Sequence, residues 1–472
     1  MLKDLLKEGG LYTLANLLTK GVSLMLIPFY TAYFTTGDYG IIDVISVFGA
    51  MLTTVVSLQL NQGMGRYVAE SEVSSLNKKK YASTAILVVA LLYISVALLI
   101  ISFPIQIINF LSTDEVQIPK QTFIYSIWAT FLSAMFYFLG VYMRFLRMVK
   151  AFSILSFSFS LLNILAMLYF ILIKDMGIDG IYVSSIIVSP IAILTSLYFL
   201  RKNLILFIGK IEFKNIFRYS APLVPASIAY LLMNTIDRLY IKELMSFESV
   251  GVYGIAFKFS TLITIVLTGF TMAMNPITYQ NYGDVKYKQE LSRMLGYFIG
   301  LGSFGYLTLS LFSLETLMVF TNPEYYEAAK VMPILYLSVI VTGMGMFSPG
   351  INIAKKTGIG ALIIIGAAII NLILNYFFII WFDLFGAALS TLIAVIVFYI
   401  TYFIVAQKYY HVNLNFNKYI FLILLNFSFV VIGSYILKFN FTLNLIIKIV
   451  FVLLYGTTVY FRIFKKINEK NF

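Results

Sequence analysis

Apolar residues run along this chain in long blocks separated by short polar breaks. A helix crosses the hydrocarbon core of a bilayer with about 20 apolar residues, so each block predicts one transmembrane helix. The first six lie near residues 9–34, 40–66, 81–111, 120–146, 151–173 and 178–200. Eight more lie near 217–245, 249–280, 294–320, 328–353, 358–381, 384–407, 418–438 and 441–463. Several exceed 25 residues, which predicts tilt or extension beyond the bilayer. The fold class is therefore an all-α membrane protein of about 14 transmembrane helices.

The polar breaks alternate sharply in basic residues. Twenty-five of the 34 Lys and Arg residues fall on one side, which receives the N-terminus, Arg66 with the run "NKKK", the 201–218 loop and the C-terminal tail. Five fall on the other: Lys120, Lys174, Lys242, Lys330 and Lys438. Basic loops stay inside, so both termini are expected in the cytoplasm, and an even number of spans is required. The remaining four, Lys20, Arg238, Lys258 and Lys448, lie within spans.

An internal repeat divides the chain. "TGDYGIIDVIS" recurs as "FESVGVYGIAF", pairing Gly40 with Gly251; "SLLNILAMLYF" recurs as "AIINLILNYFF", pairing Asn163 with Asn371. "MGIDGIYVSS" recurs as "WFDLFGAALS", pairing Gly180 with Gly386, and the basic turn "RFLRMVK" is mirrored by "NIAKK". This predicts an N-terminal six-helix lobe over 1–200, a cytoplasmic linker over 201–216, a second six-helix lobe over 217–408, and two added helices over 409–472. The links have the same sidedness, so the repeat is parallel, with a pseudo-twofold axis along the membrane normal. Two bundles facing each other are the ground plan of alternating-access transport.

Composition narrows the classes further. The chain is 60% hydrophobic and 12% charged, against about 25% charged for a soluble domain. The opening "MLKDLLKEGG" leads straight into the first block, so no removable signal peptide is expected. With no cysteine and one histidine, His411, disulfides, thiolate clusters and histidine-based metal sites are excluded. The net charge of +13 follows from cytoplasmic loops rather than from a nucleic-acid partner. No phosphate-binding loop of the G-x-x-x-x-G-K-[ST] type is present, and no loop is long enough for a catalytic domain, so no enzyme and no cofactor are expected beyond a coupling ion.

Charge inside the spans carries the candidate chemistry. A charged side chain near the bilayer centre costs about 2.5–3.5 kcal/mol on insertion scales and generally faces a bundle interior or watery cavity. Lys20 lies about 11 residues into the first span, roughly 16 Å deep. Arg238 and Lys258 are expected at one depth, on the seventh and eighth spans, and Arg66 closes the second near the cytoplasmic surface. Neighbours on a helix point about 100° apart, so Asp237 and Arg238 are expected to address different partners, with Lys20 or Lys258 available to Asp237. Three cations against Asp237 leave a positive surplus, which suits an anionic ligand; the forked guanidinium of Arg238 suits phosphate. Lys242 and Lys448 are expected to snorkel to the interface, and Asp43 and Glu315 to be ordinary interface residues near helix ends.

The stretch "LYTLANLLTKGVSLMLIPFYTAYFTTGDYGIIDVIS" resembles the opening of bacterial polysaccharide-biosynthesis flippases, and "MNTIDRLYIKELMSFESVGVYGIAFKFS" resembles their seventh and eighth spans. These belong to a superfamily that includes lipid II flippases and multidrug extruders. The resemblance implies two lobes around a cationic cavity in the bacterial cytoplasmic membrane, carrying undecaprenyl-pyrophosphate oligosaccharide to the outer face for O-antigen or capsule synthesis. It implies that Lys20, Arg238 and Lys258 meet the pyrophosphate, with Arg66 near the mouth, Asp237 in coupling or ion pairing, and the last two helices offering a lipid-tail groove. Membrane lipids and the polysaccharide polymerase and chain-length machinery would be its partners. The alternative is an ion-coupled multidrug antiporter of the same superfamily, which would favour carboxylates in the first lobe, where the first span instead has Lys20.

Overall fold

The computed structural model describes residues 21, 25–69, 74–414, 416–436 and 440–465, and every regular element among them is a helix. In chain order these are α1 (Ile27–Tyr33), α2 (Thr36–Val56), α3 (Leu60–Ala69), α4 (Ser75–Ser102), α5 (Pro104–Leu111) and α6 (Lys120–Phe145). There follow α7 (Val149–Leu168), α8 (Gly177–Leu200), α9 (Lys210–Ser220), α10 (Val224–Leu244), α11 (Phe247–Asn281) and α12 (Val285–Leu311). The last are α13 (Ser313–Phe320), α14 (Met332–Gly343), α15 (Gly350–Ile353), α16 (Thr357–Tyr409), α17 (Ile420–Val431) and α18 (Phe441–Val459).

Among the described residues, eleven helical segments are long and apolar enough to cross a membrane. A twelfth is added if Pro323–Lys330 and Met332–Phe347, bent by 52° against each other, form one span. The protein is a multi-pass membrane protein. Most of the first expected span lies outside the described residues, which take in only its end, α1.

Several overlong spans prove to be broken. The block expected at 40–66 stops at Val56, turns through Leu58 and Gln59 with φ of 47° and 52°, and restarts as α3. The block at 81–111 divides at Phe103, where Pro104 lacks the N–H that a continuous helix would need. The 53-residue α16 is two helices across Asp383, whose φ of 52° and ψ of −137° mark the boundary expected between 381 and 384. The expected linker over 201–216 already contains the start of α9, which follows Gly209 and buries Ile216 and Ser220.

The repeat is written into the backbone. Arg147 and Lys355 both have φ of 57°, and Asp175 and Asp383 have φ of 51° and 52°; each pair lies 208 residues apart (147 to 355, 175 to 383). Residues with a side chain are uncommon in the left-handed region, so matched turns at one offset record one repeated fold. Ser184 and Ser390, each four residues beyond Gly180 or Gly386, donate to Asn163 Oδ1 and Asn375 Oδ1, both at 2.8 Å. The second asparagine is Asn375, one turn beyond the expected Asn371, whose backbone carbonyl instead accepts from Asn375 Nδ2 at 3.0 Å. Gly40 and Gly251 meet reciprocally: a Cβ on Gly40 would lie 1.9 Å from the Phe247 carbonyl oxygen, and one on Gly251 would lie 2.0 Å from that of Thr36. Only glycine permits this backbone approach.

Two compact units cut the chain differently from the expected lobes. The first is Phe34–Gly251, so it keeps α9 and α10, which pack on α3, α4 and α2. The second holds α1 with the described residues from Val252 onward; α17 and α18 pack there on α12, beside a core of Tyr287, Leu291, Leu295, Phe298 and Phe347.

Three residues expected at the interface are structural charges instead. Lys448 is buried and pairs with Glu315 at 2.6 Å, tying α18 to the first turn of α13. Lys242 is 1% exposed; its ammonium donates to the carbonyls of Phe110 and Ser112 at 2.9 and 3.2 Å and meets Glu243 at 2.5 Å. Snorkelling fails as a description because both lysines find their oxygen partners within the bundle.

Removing one member of a buried pair costs about 3–5 kcal/mol, whereas an apolar replacement of both can be neutral. Glu315→Ala and Lys448→Ala should each lower Tm in detergent, and Glu315→Leu with Lys448→Met should recover most of the loss; wild-type melting of both single variants would remove the pair's structural role. Gly40→Val and Gly251→Val should sharply reduce folded protein in the membrane. Gly366→Ala, which meets no atom within 4 Å, should melt like wild type.

Candidate functional site

Three of the four charges of α10, Asp237, Arg238 and Lys242, are folded inward, while Glu243 is exposed. Tyr230, Asn234, Arg238 and Ile241 succeed one another at three- and four-residue steps and so share a face. Arg238 is 3% exposed and Asp237 1%. Arg238 Nε donates to Asp43 Oδ2 of α2 at 2.7 Å. Its Nη1 donates to Asp237 Oδ1 at 3.0 Å and to the Asn234 carbonyl at 3.1 Å. Asp237 Oδ1 also accepts the backbone N–H of Arg238 at 3.0 Å.

This arrangement corrects two expectations. Adjacent helical residues do pair here, because the long arginine stem curls back far enough to offset the divergence of the two Cβ directions. Asp43, expected to be an ordinary interface residue, is the partner that ties α2 to α10. Among the described residues, two carboxylates, Asp43 and Asp237, meet the one guanidinium of Arg238. The two acids differ: the Asp43 side chain is 23% exposed and that of Asp237 1%.

The other candidates have their own surroundings or lie outside the described residues. Arg66 is exposed on α3, its guanidinium 5.2 Å from the ring centre of Tyr219. Tyr219 precedes Arg238 by nineteen residues along α9 and α10, about 28 Å at helical rise, so Arg66 stands far from the cluster. Lys258 belongs to the second unit, where its ammonium lies 4.8 Å from the ring centre of Tyr30 on α1. Lys20 lies outside the described residues.

A chamber that the sequence reading missed opens inside the first unit. Its volume is about 910 Å³, and α2, the 57–62 segment, α6 and α8 wall it, with Tyr93 from α4 and Tyr230 from α10. Of its twenty described lining residues, fourteen carry a neutral hydroxyl or amide and none is Asp, Glu, Lys, Arg or His. One signal was present in the sequence: Ser46, Ala50, Thr53 and Ser57 form a small polar stripe at helical spacing along an apolar block. Asp43 continues that stripe one turn before Ser46, about 4.5 Å along the axis, and Asn234 stands between Tyr230 and Arg238. The charged cluster therefore borders one end of the neutral chamber. The second unit holds a smaller apolar cavity of about 330 Å³ between α11, α12 and α14, lined by Leu262, Val266, Phe298 and Ile340. None of its described lining residues comes from the two C-terminal helices expected to form a lipid-tail groove.

The family model for polysaccharide biosynthesis proteins matches residues 5–281, and the MatE model matches residues 222–377. No curated protein matches the chain by sequence. The lipid II flippase MurJ, in an inward closed conformation, is 17% identical with a TM-score of 0.72, the match covering 95% of this chain and 98% of that one. An inward-facing multidrug resistance MATE transporter of the MOP superfamily is 14% identical with a TM-score of 0.67, covering 83% of this chain and 94% of its own. A MOP superfamily transporter from Pyrococcus furiosus is 16% identical at a TM-score of 0.58, covering 84% and 94%. At such identities the likeness establishes the fold, that of the MOP transporters. The family match takes in Arg66, Asp43, Asp237, Arg238 and Lys258 and spans more than half of the chain, which belongs to the polysaccharide biosynthesis protein family.

Proposed function

We propose that the protein is a flippase that moves undecaprenyl-pyrophosphate-linked oligosaccharide repeat units from the cytoplasmic to the outer face of a bacterial cytoplasmic membrane, by alternating access and without catalysis. The observation that carries this reading is the family match over residues 5–281. A fold like that of the lipid II flippase along 95% of the chain supports it. In this reading both termini are cytoplasmic, surface-polysaccharide polymerase and chain-length machinery receive the product, and Lys20 and Lys258 join Arg238 on the pyrophosphate while Arg66 stands near the mouth.

The cluster around Arg238 gives the binding step a physical form. Pyrophosphate offers a guanidinium the same forked acceptor geometry as a carboxylate with more charge. It would displace Asp43, the more exposed partner, while Asp237 keeps the guanidinium from standing alone in the bundle. The freed carboxylate then takes up a proton or other cation, which links ligand arrival to an ion gradient. A drug antiporter is the second reading, favoured by the MatE match over residues 222–377.

In a deletion strain the wild-type gene should restore surface polysaccharide, whereas Arg238→Ala and Lys258→Ala should reach the membrane yet leave lipid-linked sugars stranded inside. Normal export by both variants contradicts the cavity assignment. A deletion that changes dye resistance and leaves lipid-linked sugars untouched favours the antiporter. With purified protein and inorganic pyrophosphate as probe, Asp43→Asn should tighten binding by roughly tenfold, about 1.4 kcal/mol, because it removes the competing carboxylate. Unchanged affinity would rule out that competition.

A further inference from the structure

The neutral chamber in the first unit is not explained by charge chemistry. Hydroxyls and amides facing a cavity in a membrane-spanning bundle are poorly accommodated unless polar matter fills it. Its volume of about 910 Å³ is at the upper end of ordinary ligand sites, which run to roughly 1,000 Å³. Much of the hydroxyl wall presents acceptors. Ser46, Thr53 and Thr54 donate their protons back to the carbonyls of Ile42 and Ala50, at 2.7, 3.1 and 2.8 Å, which leaves oxygen lone pairs toward the chamber.

The amides complement them. Gln59, Asn61 and Gln62 enter the lining at the break where Leu58 and Gln59 adopt left-handed backbone, a conformation held only where the surroundings enforce it. Asn61 Oδ1 is buried and accepts no hydrogen bond from the protein. A side-chain amide is both donor and acceptor in one plane, the pattern that vicinal sugar hydroxyls satisfy. Tyr93 and Tyr182, both largely buried, add aromatic bodies with polar tips, suited to the C–H faces of a pyranose.

We infer that this chamber is the subsite that reads the glycan, and that it takes uncharged saccharide units, neutral hexoses or N-acetylhexosamines, in preference to uronic acids. The inference rests on the flippase reading and deepens it. With no cation among the described lining residues, a uronate would bury its carboxylate there without a partner; with no acid among them, an organic cation is equally disfavoured. Because Asp43 and Arg238 border the chamber, a pyrophosphate held at Arg238 leaves the attached sugars in the neutral space.

The test uses two strains without a flippase of their own, one assembling a neutral repeat unit and one a uronate-bearing unit on the same carrier lipid. Wild-type protein should export the neutral unit at least about tenfold better, the discrimination expected for one uncompensated polar group. Asn61→Leu with Gln62→Leu should lower neutral export by roughly tenfold at unchanged membrane abundance. Ser133→Arg should shift the ratio toward the uronate unit, a change that poor folding alone would not produce, since misfolding reduces both alike. Equal export of both units, or a ratio indifferent to all these substitutions, overturns the glycan assignment and leaves the flippase reading standing. Export of neither unit overturns both.

Discussion

An ion inside an apolar helix bundle needs a counter-charge or a set of dipoles at contact distance, and this requirement organises the protein. Arg238 satisfies it with Asp43, Asp237 and the Asn234 carbonyl; Lys242 with the carbonyls of Phe110 and Ser112; Lys448 with Glu315. Each solution ties together segments distant in sequence, so the charges act as fasteners between helices as well as candidate ligands. At Arg238 the fastener has an unequal pair of acids, one sealed and one partly open. That inequality makes the cluster able to exchange a partner without leaving the guanidinium unpaired.

Breaks in the helices do the complementary work. The left-handed residues at 58 and 59 end α2 and carry three amides to the wall of a chamber. The matched turns at Arg147 and Lys355, and at Asp175 and Asp383, set the helix hairpins of both halves. Gly40 and Gly251 allow backbone contact where α2 and α11 begin. The duplicated chain thus reuses turn geometry while varying side-chain chemistry, and the neutral chamber lies in the first unit while the second holds an apolar cavity.

Much of this was legible in the sequence because bilayer thickness fixes helix length. The span expected at 120–146 is α6, 120–145, and that expected at 441–463 ends where predicted. The repeat was legible because glycines and basic turns are tied to special backbone. What was hidden depended on long-range partners. Asp43 and Arg238 are 195 positions apart, and nothing local distinguishes Asp43 from an interface acid. The lysine pairings were missed for the same reason. The chamber's polar residues come from several helices, each contributing a few that look unremarkable alone. Of the four cations expected around one ligand, Arg66 stands apart from Arg238, Lys258 belongs to the second unit, and Lys20 lies outside the described residues.

The most direct measurement reconstitutes the purified protein into vesicles carrying a fluorescent polyprenyl-pyrophosphate oligosaccharide in both leaflets and follows its quenching by a membrane-impermeant reductant. The account predicts that the protein carries the protected inner-leaflet fraction outward, and that inorganic pyrophosphate suppresses this movement while ethidium does not. Vesicles in which the lipid stays protected while ethidium is transported against a cation gradient would contradict it.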